Sequence, residues 1–172
     1  YISAIFKKGK KDLAENYRPV SLTSIVVKIL EGIIRESITA HMRRHHLFST
    51  SQFGFLSGRS TVLQLLAVLD EWTENLDLGD GIDVIYCDFK KAFDKVPHQQ
   101  LLTKAKSYYG INGKLIEWIK VFLTDRRQTV RMGISLSQSH PVKSGIPQGS
   151  VLGLLLFVLF VNDLQQSIHH SS

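Results

Sequence analysis

The sequence predicts a helix-rich α+β fold, and three observations carry that prediction. Residues 25–42 and 61–76 place apolar side chains at helical spacing. Residues 82–88 form a short apolar run with no helical period, as expected of a central strand buried on both faces. Residues 125–142 read as a hairpin of two short strands. With 172 residues, 44% of them hydrophobic, the chain can build one compact domain or two lobes sharing a core.

Taken in order, residues 1–6 read as a short strand leading into the basic turn Lys7-Lys8-Gly9-Lys10-Lys11, where glycine accepts tight-turn backbone angles. Apolar Ile25, Ile29, Ile33, Ile34 and Ile38 follow Thr23 or Ser24 as N-cap, giving a helix to about Met42. His45 and His46 mark its solvated exit. Residues 52–60 form a loop closed by Gly58, and Ser60 caps the next helix, whose apolar face is Val62, Leu65, Leu66, Leu69, Trp72 and Leu76. Gly79 and Gly81 end that helix. After the strand at 82–88, Pro97 precedes a helix to about Tyr108, and Gly110 to Gly113 turn into another to Leu123. Asp125-Arg126-Arg127 enters the hairpin, with strands at 128–132 and about 137–142. Ser150 closes the loop 144–150 and caps a final helix to about Leu164.

The formal net charge is +6, and it is unevenly placed: residues 1–60 hold ten Lys or Arg against four acids, while the remainder holds eleven of each. Such a basic third suits a polyanionic partner, because cations that neutralise phosphates release counterions; the plainer reading is a solvated basic face. The only cysteine, Cys87, excludes an intrachain disulfide and a cysteine-based zinc cluster, and reads as a small buried residue of the strand. The longest apolar run, 151–161, falls short of the ~20 residues of a membrane-spanning helix, so no membrane partner is expected. The chain opens on Tyr1 without a signal-peptide pattern and is expected to be a piece of a longer product.

Two places can carry chemistry. The first is Asp88, delivered by the strand at 82–88. A carboxylate there is costly to bury unless a cation or a donor compensates it, so it reads as half of a site for two divalent cations roughly 3.5–4 Å apart, or as a cap on the turn that follows. Asp83 alternates to the opposite strand face, and Asp94 reads as a surface or salt-bridging residue. The second place is Ser144-Gly145-Ile146-Pro147-Gln148-Gly149-Ser150, where two glycines allow close backbone approach and Gln148 can both donate and accept.

Four blocks in order carry a resemblance: Asn16-Tyr17-Arg18-Pro19-Val20-Ser21-Leu22; Gln52-Phe53-Gly54-Phe55 with Gly58-Arg59-Ser60; the run from Asp88 to His98; and residues 144–153. Together they resemble the reverse transcriptase domain of non-LTR retrotransposons of the jockey or LINE type, over essentially the whole chain. The resemblance implies a right-hand polymerase with a small, mostly antiparallel palm sheet. Fingers would occupy about 1–81 and 98–143, and palm about 82–97 and 144–172. It implies that Asp88 is the first catalytic aspartate, ligating two Mg2+ ions, with the Phe89 carbonyl on the nucleotide-side metal. Phe93 would crowd the sugar 2′ position, Gln148 would contact the incoming nucleotide, Arg18, Lys7 and Lys8 would hold its triphosphate, and Arg59 would handle the template. The implied partners are an RNA template, a DNA primer and deoxynucleoside triphosphates, inside the cell in nucleus or cytoplasm.

The chain departs from that pattern in three places. Leu56 stands where the family often has arginine, and Leu154 where Gly-Pro is usual. After Asp163 the chain reads Leu164 to Ser172, where a Tyr-x-Asp-Asp hairpin is expected, and neither that hairpin nor a thumb is present. The expected function is therefore a fragment of an RNA-directed DNA polymerase, inactive as an isolated chain; the alternative is a decayed element that at most binds RNA through its basic third. A third reading, another magnesium-dependent phosphotransfer enzyme built around Asp88, does not account for the other three blocks. On either of the first two readings, RNA affinity measured by filter binding should fall at least ~10-fold as salt rises from about 50 to about 200 mM. A salt-insensitive affinity would refute the basic-face assignment.

Overall fold

The computed structural model describes residues 1–165, which divide into two compact units. The first joins Tyr1–Leu47 to Lys91–Val161; the second comprises Phe48–Lys90 with the described residues 162–165. The tail read above at 166–172 lies outside the described residues. The architecture mixes helix and sheet, as the sequence predicts.

The first unit opens with an antiparallel pair, β1 (Ile2–Phe6) and β2 (Tyr17–Ser21), in the register Ile5 opposite Arg18 and Ala4 opposite Pro19. Proline has no N–H to give a neighbour, and β2 tolerates Pro19 because it is the edge of a sheet ordered β2-β1-β4-β5. The basic turn between them is tight: Gly9 has φ +90°, and the Asn16 side chain lies 2.8 Å from where a Cβ would sit.

Helix α1 (Ile25–Arg44) starts at Ser24, whose hydroxyl accepts from the Val27 N–H at 3.3 Å. Its buried face is Glu31, Ile34, Ile38 and Met42, while Ile25, Ile29 and Ile33 are exposed. The apolar stripe read from the sequence is thus displaced around the helix. A helix with apolar residues on two faces does not state which one its neighbours will cover.

Three more helices complete the core of this unit: α3 (His98–Ser107), α4 (Gly113–Leu123) and α5 (Gly153–Val161). α3 packs on both α4 and α5, with Leu101, Ala105, Ile119, Leu123, Leu156 and Leu159 fully enclosed. The Tyr109 hydroxyl donates to the Leu159 carbonyl, tying the α3–α4 connection to α5. Between α4 and α5 the expected two-stranded hairpin is broken into four short strands, β3 (Arg127–Gln128), β4 (Val130–Met132), β5 (Ser135–Leu136) and β6 (His140–Pro141). β4 and β5 turn about Gly133 and extend the first sheet, β4 lying parallel to β1, whereas β3 pairs antiparallel with β6.

A buried carboxylate joins α1 to the start of α5. Glu31 Oε2 accepts from the Ser150 hydroxyl at 2.6 Å and from the backbone N–H groups of Val151 and Leu152 at 2.7 and 3.0 Å. Ser150 Oγ in turn accepts from the Gly153 N–H at 2.8 Å, the cap expected from sequence.

In the second unit, α2 (Thr61–Asp77) forms where expected, capped by Ser60 Oγ on the Leu63 N–H. None of its residues is buried: Val62, Leu65, Leu66, Leu69 and Leu76 are exposed and Trp72 is half-covered. The strand expected at 82–88 does not form. A strand exists only as part of a hydrogen-bonded ladder, and no described strand pairs with this segment, so Ile85 and Tyr86 stand 87% and 85% exposed and Cys87 is exposed rather than buried. Without a strand, the alternation that separated Asp83 from Asp88 does not apply. No helix among the described residues is long and apolar enough to cross a membrane.

Replacing Glu31 by alanine would leave two buried donors and one part-buried donor without their acceptor. We expect Glu31→Ala to lower unfolding free energy by ~3 kcal/mol in urea titrations, with Glu31→Gln losing less because its amide oxygen can still accept.

Candidate functional site

The site in the first unit is built on the loop 144–150, which is laid against residues 93–98. The Gly145 N–H donates to the Val96 carbonyl at 2.8 Å and the Ile146 N–H to the Phe93 carbonyl at 2.9 Å. The Ser144 hydroxyl donates to the Asp94 carbonyl at 3.1 Å. Gly145 has φ +87°, and a Cβ there would lie 2.7 Å from the Asp94 carbonyl oxygen, so only glycine allows this approach.

Two cationic or polar side chains hold the outer side of the same peptide. The Gly145 carbonyl accepts from His98 Nε2 at 2.8 Å and from Arg126 Nη2 at 3.2 Å. A carbonyl can only accept, so Nε2 is the protonated ring nitrogen of His98. Arg126 also donates through Nε to the Leu123 carbonyl at 3.1 Å, closing the C-terminus of α4. Burial lowers its pKa from the ordinary arginine value, yet a guanidinium remains charged throughout the physiological range.

On its other flank the loop meets β2. The Gln148 carbonyl accepts from the Ser21 N–H at 2.7 Å, and Gly149, at φ +100°, passes 3.0 Å from the Ser21 carbonyl measured from its would-be Cβ. Gln148 therefore sits between β2 and the short 3-10 turn Phe93–Lys95. Its amide oxygen accepts from Arg18 Nε at 3.2 Å, and its amide nitrogen donates to Asp94 Oδ1 at 2.9 Å. Gln148 and Asp94 line a cavity of about 710 Å³ that also reaches Arg126, Arg127 and Lys143. The Phe93 ring stacks on Phe157 of α5, centroids 4.2 Å apart, both rings being partly exposed.

Of the residues picked from sequence, the first unit therefore gathers Arg18, Phe93 and Gln148. Lys7 and Lys8 are exposed on the turn between β1 and β2, the hairpin that also carries Arg18. Asp88 and Phe89 lie in the second unit, both exposed, so the desolvation cost expected of Asp88 does not arise. Arg59, in the same unit, uses Nη1 to hold the carbonyls of Ser49, Thr50 and Gln52, with its guanidinium over the Phe53 ring at 5.5 Å. No three His, Cys, Asp or Glu side chains among the described residues are grouped so as to hold a metal ion.

Sequence reading missed Asp94, His98 and Arg126. Asp94 is half-buried against Gln148 rather than a surface residue, and the three act on partners between 19 and 54 positions away. No local spacing announces such contacts.

The family described as reverse transcriptase (RNA-dependent DNA polymerase) matches residues 5–172, and the chain belongs to it. It is 36% identical over 169 residues to the probable RNA-directed DNA polymerase from transposon BS of Drosophila melanogaster, covering 95% of this chain and 18% of that protein. It is 35% identical over 171 residues to the probable RNA-directed DNA polymerase from transposon X-element of the same fly, covering 96% and 18%. Against the RNA-directed DNA polymerase from mobile element jockey of Drosophila funebris it is 34% identical over 164 residues, covering 95% and 18%. Its relatives are thus enzymes of jockey-type non-LTR retrotransposons, and the chain spans about 18% of their length.

Gly145→Ala would combine a positive φ with a clash against the Asp94 carbonyl. Thermal melts should show a loss of ~2 kcal/mol or more.

Proposed function

We propose that this chain forms the part of an RNA-directed DNA polymerase that receives the incoming deoxynucleotide during copying of an RNA template from a DNA primer. The observation that carries this reading is the clamping of the Gln148 loop onto Phe93 and Asp94. It puts an amide that can read a sugar or base, an aromatic ring held by Phe157, and the Arg18 guanidinium into one neighbourhood. Those are the group types a nucleoside triphosphate needs: a cation for phosphate charge, a hydrogen-bonding amide, and a wall against which sugar bulk can be judged.

On this reading Arg18, helped by Lys7 and Lys8 from the same hairpin, bears triphosphate charge, Gln148 contacts the nucleotide beside its sugar, and Phe93 excludes a 2′-hydroxyl. Arg59 orders the loop that borders the template. Fingers would comprise about 1–81 and 98–143, and palm about 82–97 and 144–172. The chain would work on retrotransposon RNA in the nucleus or cytoplasm.

Reverse transcriptases as a family use divalent cations. Here Asp88 supplies one carboxylate and Phe89 a carbonyl, and no cluster of metal-ligating side chains accompanies them among the described residues. That donor set does not fit two cations. What the chain's own residues do is bind, orient and select the nucleotide. No observation favours a remnant acting only as a basic RNA-binding module.

The test is ribonucleotide discrimination by the intact polymerase that carries this chain. Phe93→Val should raise the relative kcat/KM for ribonucleotides about 10-fold or more, since a small side chain no longer meets the 2′-hydroxyl. Unchanged selectivity would remove Phe93 from the site.

A further inference from the structure

We propose that Asp94 is a positioning residue of the nucleotide site, acting through Gln148: it sets the orientation of the amide that meets the ligand. This rests on the reading of Gln148 as a nucleotide contact and assigns a role to a residue outside that reading. The argument begins with the symmetry of a glutamine amide. Its oxygen and nitrogen are alike in shape and opposite in hydrogen bonding, so an amide free to rotate presents either a donor or an acceptor to a ligand.

In this site it is not free. Arg18 can only donate and accepts nothing, which requires the amide oxygen to face it, at 3.2 Å from Nε. The ionised carboxylate of Asp94 can only accept, which requires the amide nitrogen to face it, at 2.9 Å from Oδ1. A flip would set oxygen against carboxylate and nitrogen against guanidinium, two repulsive pairs in place of two charge-assisted bonds. Two opposite charges on either side of one amide therefore select a single state.

Asp94 is itself held firmly enough to do this. Its N–H donates to the Lys91 carbonyl at 3.0 Å, its carbonyl accepts from Ser144 Oγ at 3.1 Å, and Gly145 passes directly over that carbonyl. These bonds are made by the main chain, so they survive replacement of the side chain. Asp94 and Gln148 line the same 710 Å³ cavity, so with one amide N–H committed to Asp94 the direction of the other is set at the cavity wall.

The experiment uses the intact polymerase that carries this chain, with the Gln148 side-chain amide observed by 15N NMR after selective glutamine labelling and dTTP with magnesium as the probe. In the wild type the two amide protons should be well separated and should shift on adding dTTP. Asp94→Ala should bring them toward free-glutamine values before nucleotide is added and raise the apparent Kd for dTTP about 10-fold. Asp94→Asn, which keeps an acceptor oxygen, should restore most of both. In a double-variant cycle, Asp94→Ala should add nothing to the loss caused by Gln148→Ala, because it acts through that residue. A Gln148 amide unchanged by Asp94→Ala, or fully additive losses, would overturn the positioning role alone. A wild-type amide that ignores dTTP would overturn the nucleotide reading and this proposal with it, and the nucleotide-free spectra tell the two failures apart.

Discussion

The loop 144–150 is anchored at its α5 end by one buried carboxylate. Glu31 is wholly enclosed, and withdrawing a carboxylate from water costs several kcal/mol unless charge-assisted bonds replace its hydration. Oε2 gathers three donors at the N-terminus of α5, where the helix dipole also favours negative charge, while Oε1 is buried without a partner among the described residues. The arrangement is an exchange: α1 supplies an acceptor to a helix end that would otherwise bury unpaired N–H groups, and α5 supplies the donors that let α1 keep a charge in its apolar face. Ser150 belongs to both halves, donating to Glu31 and accepting from Gly153. The register of α5, and so the point where the loop leaves it, is set by this cluster.

From that anchor the loop runs back across residues 93–98, held by main-chain bonds. Val96, Phe93 and Ser21 pin three of its peptide groups, and His98 and Arg126 converge on the Gly145 carbonyl from α3 and from the end of α4. Backbone bonds hold the scaffold, which leaves the side chains of Gln148 and Asp94 for work at the surface of the cavity, with Arg18 bonded to Gln148. The same division appears at Phe93, whose carbonyl belongs to the scaffold while its ring packs on Phe157.

Helices were legible because their signals are local. Ser24, Ser60 and Ser150 cap where a hydroxyl meets the first free N–H groups, and the periodic apolar residues behind them need no knowledge of the rest of the chain. Burial was less legible. The exposed side of α1 is as apolar as its buried side, and the apolar face of α2 remains uncovered, because a periodic stripe specifies a helix and not its partner. The run at 82–88 failed as a strand for a related reason: its composition suits a central strand, but a ladder needs a neighbour that composition cannot supply.

Sequence alone determined the family, through four motif blocks in order, and with it the candidacy of Arg18, Phe93 and Gln148. It also determined which residues could tolerate the close approaches, since Gly145 and Gly149 are written into the loop. Only the tertiary structure decided that Glu31 is a buried anchor and that Asp94 faces Gln148. Those contacts span 119 and 54 positions, and a carboxylate shows its role only when the fold sets donors against it. The chemistry of each residue is carried by its side chain, whereas the partner that directs that chemistry is chosen by packing.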